Sequence, residues 1–136
     1  MKWFLSFAVL LLSVCCVFSL KIDLQHASTP HQDCAHHHHH FPQEKLDKLN
    51  KGEPVDPKDE EIASHLVCIL KERKYLSEDG TINKDLGKAR ITKVLGEGSE
   101  DIDKVMNCLV QHTDQKETAV TFYNCVAPLI KKHNSQ

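Results

Sequence analysis

The sequence predicts an all-α protein, a compact bundle of five to six short helices stapled by two disulfides. Three observations carry that reading. Apolar residues recur at helical spacing in several stretches, and nowhere do they alternate strictly as in strands. Four cysteines, Cys34, Cys68, Cys108 and Cys125, each fall within a helical stretch, so bridges between them would lock helix to helix. An apolar leader marks the chain for export to an oxidising compartment, where such cysteines pair.

The elements follow in order. Met1 and Lys2 precede an apolar run from Trp3 to Val14, continued through Cys15, Cys16, Val17 and Phe18 to the small residue Ser19. This has the form of a secretory signal peptide, and the run is too short for a good membrane anchor. Cleavage is expected after Ser19, so residues 1–19 are the signal and residues 20–136 one domain. A chain of that length buries about 65% of its unfolded surface, enough for a small core. Residues 21–33 hold Ile22 and Leu24, but Ser28-Thr29-Pro30 shortens or breaks a first helix there.

Phe41-Pro42 opens a short helix with Leu46 and Leu49 inside, ended by Lys51-Gly52. Asp56-Pro57-Lys58-Asp59 reads as an N-cap, a proline at the first helical position and an acidic first turn. The helix it opens would run to about Lys74, with Ile62, Leu66, Ile69 and Leu70 inward. Asp79-Gly80 makes a turn. The next helix, over residues 83–95, sets Leu86, Ala89 and Val94 on one side, and Gly96 and Gly98 stop it. Ser99 caps a helix whose Ile102, Val105, Met106, Leu109 and Val110 follow the amphipathic rule. Asp114 and Glu117 resemble a capping box. The last helix carries Ala119, Phe122, Tyr123, Val126, Leu129 and Ile130, and Pro128 inside it should kink or end it.

Four cysteines allow three pairings, and the residues alone select none. Their spacing resembles the insect odorant-binding protein family, the pheromone and general-odorant carriers. That family's full pattern has six cysteines, the second and third separated by three residues and the fifth and sixth by eight. Here those missing positions hold Ser64 and Lys116, and the other four match. The chain therefore resembles the four-cysteine, C-minus branch, in which one bridge is lost as a pair. The stretch Leu46-Asp47-Lys48-Leu49-Asn50-Lys51-Gly52, the segment Cys68-Ile69-Leu70 and the turn Asp79-Gly80 add to the likeness. The resemblance implies the pairs Cys34–Cys68 and Cys108–Cys125, each contributing roughly 3–4 kcal/mol in the chain-entropy account.

It also implies an apolar cavity between the helices. The expected wall is Leu66, Ile69, Leu86, Ile91, Val105, Met106, Leu109, Phe122, Tyr123 and Val126. Binding would rest on apolar burial, with few polar groups to orient the ligand. Tyr123 is the candidate hydrogen-bond partner for a ligand oxygen, and Met106 an adaptable wall. Few aromatics remain after the leader, so flexible aliphatic or terpenoid ligands suit this wall better than one selected aromatic. Lys131-Lys132-His133-Asn134-Ser135-Gln136 is too short and polar to refold inside the pocket, so tail-driven release is not expected.

One run lies outside that pattern. His36, His37, His38, His39 and His40 could bind Zn²⁺, Cu²⁺ or Ni²⁺, although a homopolymer supplies no fixed geometry. His65 and His112 are placed on helices as surface or satisfied groups. The 77–83 segment has an EF-hand flavour, but Tyr75 and Leu86 would occupy ligand positions that need oxygen. No Walker loop, GxSxG elbow or HExxH motif occurs. With 17 basic against 19 acidic residues and no basic patch interleaved with aromatics, nucleic acid is not a partner.

The expectation is a secreted, extracellular carrier of small hydrophobic ligands, not an enzyme, with no cofactor. It would be a monomer or weak homodimer, serving a membrane receptor only indirectly. The alternative is a secreted helical interaction or metal-binding protein of haemolymph, venom or reproductive fluid.

Overall fold

The computed structural model describes Cys34 and residues 41–135. The leader, its cleavage point, the segment 21–33 and the histidine run lie outside the described residues. Among those described, five helices form and no strand does; Leu76 and Ile82 make an isolated antiparallel bridge.

α1 spans Gln43–Asn50. Its end is fixed by Gly52, whose φ of 71° lies in the left-handed region. A Cβ there would come 2.5 Å from the Ala127 carbonyl oxygen and 2.8 Å from the Lys131 nitrogen. The chain can therefore lie directly on the backbone of the last helix only because this residue is glycine.

α2 spans Glu60–Glu72 and starts one turn later than the sequence suggests. Asp56 Oδ1 accepts the Lys58 N–H at 2.9 Å, which spends residues 56–59 on a local turn. Asp59 is the true cap, its Oδ1 accepting the Ile62 N–H at 3.1 Å. Lys45 of α1 reaches Asp59 at 2.9 Å and Glu61 at 2.6 Å. Burial pushes the Asp59 carboxyl up, but Lys45 and the Ile62 N–H outweigh it and hold the carboxyl below its ordinary value. After α2 the chain reverses: Lys74 takes a φ of 62°, and the N–H groups of Tyr75 and Leu76 both return to the Leu70 carbonyl.

α3, Lys84–Leu95, is capped by Asn83, whose side chain accepts the Leu86 N–H. It buries the opposite side from the one predicted. Leu86 and Val94 are 51% and 68% exposed and Ala89 is exposed, whereas Gly87 and Ile91 face inward with Leu95 partly covered. The reason is Gly87: a Cβ there would meet the Tyr75 ring at 3.1 Å and Leu109 at 3.4 Å. Without one, the helix lies closer on that side than on its bulkier side.

α4, Asp101–Cys108, begins after Ser99, whose Oγ accepts the Asp101 N–H at 3.4 Å. It ends before the predicted stripe does, so Val110 is 51% exposed. α5, Gln115–Asn134, is capped by Asp114, which accepts the Lys116 N–H at 2.8 Å. Pro128 does not end it: the helix runs on for six further residues. Its last turns are held from outside: Asn134 Nδ2 donates to the Asn50 carbonyl, and Lys132 and His133 lie 3.6 and 3.4 Å from Asp101. These anchors offset the hydrogen bond that the proline removes.

α5 is the spine. α2 packs along it, α4 packs on it, and α3 leans on α4. The pairs Cys34–Cys68 and Cys108–Cys125 are formed, as the resemblance implied. The second ties the end of α4 to the middle of α5.

Candidate functional site

The apolar interior is one continuous cluster between α2 and α5, closed by α3, α4 and the 49–55 connection. Of the predicted wall, Leu66, Ile91, Leu109, Phe122, Tyr123 and Val126 are buried in this cluster, and Val105 and Met106 are partly buried against it. Ile69 is buried at 5% exposure but stands outside the cluster. Leu86 points to solvent and leaves the wall, for the reason given by Gly87.

Tyr123 has a different task from the one expected of it. Its hydroxyl lies 3.0 Å from the Leu49 carbonyl oxygen and 2.9 Å from that of Glu53, and it donates to this pair. The phenol therefore ties α5 to the chain after α1 instead of facing a guest. Burial, aided by Glu53, pushes its pKa up to about 12. Asn124, next in sequence, makes a second tie that the sequence reading missed. Its Oδ1 accepts the Val55 N–H at 2.9 Å and its Nδ2 donates to the Val55 carbonyl at 3.0 Å. A side-chain amide meeting a backbone 69 residues away leaves no local signature.

Tyr75 was also missed as a wall residue. It is 8% exposed, and its ring sits 5.8 Å from that of Phe122 at a 39° tilt. Burial raises its phenol pKa, while the nearby Arg73 and Arg90 charges pull it back. The spacing signal was weak because Tyr75 follows the end of α2 and belongs to no helical stripe.

Of the two histidines placed on helices, His65 does lie on α2, as a buried group, whereas His112 lies off any helix. His65 is buried at 1% exposure, its ring stacked on Phe41 at 3.9 Å and 9°. His112 lies in the connection before α5, where its N–H donates to Thr118 Oγ1 at 3.0 Å and Glu117 stands 3.5 Å from Nδ1. Among the described residues no group of three or more His, Cys, Asp or Glu gathers as a metal site.

The position of the absent bridge is occupied differently. Lys116 Nζ meets Glu60 Oε2 at 2.6 Å, joining α5 to α2 one turn from Ser64. An ion pair thus spans the same two helices that a third disulfide would cross-link.

A polar groove of about 550 Å³ lies on the surface between the 79–81 turn and the 111–115 connection. Gln111 braces it by accepting the Ile82 N–H at 2.8 Å and donating to the Gly80 carbonyl at 3.1 Å. It is separate from the apolar interior and shares no residue with the predicted wall. No helix among the described residues is long and apolar enough to cross a membrane.

Comparison with known proteins adds the lineage. The family model described as PBP/GOBP matches residues 20–128. The B2 protein of Tenebrio molitor is 30% identical over 81 residues, covering 60% of this chain and 62% of that protein. The B1 protein of the same organism is 28% identical over 81 residues, covering 60% of this chain and 61% of its own length. The chain thus spans about three-fifths of each of these relatives. No solved structure matches it. The four-cysteine spacing, the two bridges and the helical frame agree with the family match: the chain belongs to the PBP/GOBP family, whose members carry small hydrophobic ligands.

Proposed function

We propose that this protein is a secreted carrier that takes up odorants, pheromones or other lipophilic molecules between α2 and α5 and releases them without chemical change. The observation that carries the reading is the continuous apolar cluster bounded by the partly buried Val105 and Met106, in a chain of this family. Met has three rotatable bonds and no branch, so its side chain can yield to a guest at low cost. The wall proposed after correction is Leu66, Ile91, Met106, Leu109, Phe122 and Val126, with Val105 at its edge. Tyr75 replaces Tyr123 as the proposed contact for a ligand oxygen, because the Tyr123 hydroxyl is engaged by two carbonyls.

Affinity follows from area. A flexible chain burying on the order of 300 Å² of apolar surface gains about 7 kcal/mol before ordering costs, which limits binding to the micromolar range. Displacement of a fluorescent apolar dye by long-chain alcohols, esters, fatty acids and terpenoids tests the reading. Micromolar displacement by several of them is expected, weakened by Met106→Asp. Failure of every class to displace the dye would refute a carrier role.

A further inference from the structure

We propose, building on the carrier reading above, that the guest is a long-chain carboxylic acid. Its apolar chain lies in the interior, and its carboxylate is held at the rim between α2 and α3 by Arg73, Arg90 and the Tyr75 hydroxyl.

The helical period brings the first arginine there. Leu66, Ile69 and Leu70 are buried on the inward side of α2. Arg73, the residue that caps this helix, continues the same stripe, seven positions after Leu66, four after Ile69 and three after Leu70. An apolar stripe thus ends in a half-buried cation, whose stem can cover apolar surface while its guanidinium reaches the edge. The chain then turns through Lys74, whose φ is 62°, and sets Tyr75 into the apolar cluster, its ring 5.8 Å from that of Phe122. The second arginine comes from α3. Gly87 lies so close on Tyr75 that a Cβ would stand 3.1 Å from the ring. Arg90 follows Gly87 by three positions, so it stands about one turn along the same side of α3, exposed.

These three groups interact. Burial raises the Tyr75 phenol, and both guanidiniums pull it back. Burial lowers the Arg73 pKa, Tyr75 raises it, and Arg90 lowers it again. Two like charges therefore flank one phenol at the edge of an apolar interior. Arg90 makes no ion pair with a described residue. A carboxylate placed here relieves the repulsion between the guanidiniums and offsets the cost of burying Arg73. Its two oxygens match the planar donor fork of an arginine, and the phenol is a third donor. The apolar tail follows from the same geometry, since the Tyr75 ring belongs to the apolar cluster. A neutral alcohol or ester gains the phenol alone, and an ammonium is repelled.

Displacement of a neutral apolar dye by dodecanoic acid, dodecanol, methyl dodecanoate and dodecylamine tests this, at about pH 8, where the carboxyl is ionised and the amine protonated. The acid should bind about tenfold more tightly than the alcohol or the ester, and the amine more weakly than either. Acetate, which lacks the tail, should displace nothing. Arg73→Gln should bring the acid-to-alcohol ratio close to one. Arg90→Gln should lower it by only about threefold, because water screens an exposed charge. Arg73→Lys keeps the charge without the fork and should retain part of the ratio. The proposal is overturned by a wild type that binds the acid no better than the alcohol, by an amine that matches the acid, or by a ratio that neither Arg73→Gln nor Arg90→Gln moves. In each of those cases the carrier reading survives, because the alcohol and the ester still displace the dye. If none of the four displaces it, the carrier reading falls and the proposal with it. If Arg73→Gln does not fold, the wild-type ratio and Arg90→Gln decide the matter.

Discussion

Replacing Tyr123 by Phe removes one oxygen and keeps the ring, which isolates the tie between α5 and the end of α1. The hydroxyl serves the carbonyls of Leu49 and Glu53 at 3.0 and 2.9 Å. The Leu49 carbonyl keeps a second donor, the Gly52 N–H at 3.2 Å, so the larger loss falls at Glu53. One hydrogen bond with a partly desolvated acceptor left behind is worth about 1–2 kcal/mol. For a domain of this size that lowers the thermal midpoint by about 4–8 °C per kcal/mol. The assay is thermal unfolding followed by circular dichroism with both disulfides intact, alongside dye displacement. Stability should fall while ligand affinity stays within about twofold, because the hydroxyl does not face the guest. The phenol gives a second readout. Folded, it holds its proton to about 12, whereas the ordinary value is 10.0. Its contribution to stability is therefore full below pH 10 and is lost as pH rises toward 12. Tyr123→Phe should abolish that loss in alkaline unfolding. An unchanged midpoint with a tenfold loss of ligand affinity would refute this reasoning and return the hydroxyl to the pocket.

Gly52→Ala should destabilise by more than about 2 kcal/mol, since strain in the left-handed region adds to a clash with the backbone of α5; chemical denaturation measures it. Ile91→Ala should cost about 2–4 kcal/mol, whereas Leu86→Ser should change stability by less than about 0.5 kcal/mol and leave dye affinity unaltered; equal effects would mean that α3 is rolled the other way. Lys116→Met should lower the thermal midpoint modestly in low salt and have no effect in about 0.5 M salt. Cysteines at positions 64 and 116 should slow amide exchange in α2 and at the start of α5, and narrow the range of dye displacers.

Much of the frame was legible because helices are written locally. The cap at Asp114 and the start at Asn83 lie beside the segments they open, the sequence misplaces the cap of α2 by one turn, at Asp56, and a 3.6-residue period records which residues share a face. The four cysteines fell in helical stretches, and their spacing carried the family resemblance that implied both bridges. Most of the proposed wall followed from the same stripes, from Leu66 on α2 to Phe122 and Val126 on α5.

What the sequence by itself determined, then, is roughly where the helices are and which residues are apolar enough to be buried. The tertiary structure decided which apolar side turns inward and which polar groups are already engaged. α3 offered two sides of comparable appeal, and the absent side chain of Gly87 chose the one that admits Tyr75 and Leu109. Pro128 did not end α5, because Asn50 and Asp101 hold its last turns from elements distant in sequence. The partners of Tyr123 and Asn124 lie about 70 residues away, and Lys116 closes on Glu60 across 56. Such contacts depend on where helices pack, and packing is a property of the whole chain that no local pattern encodes.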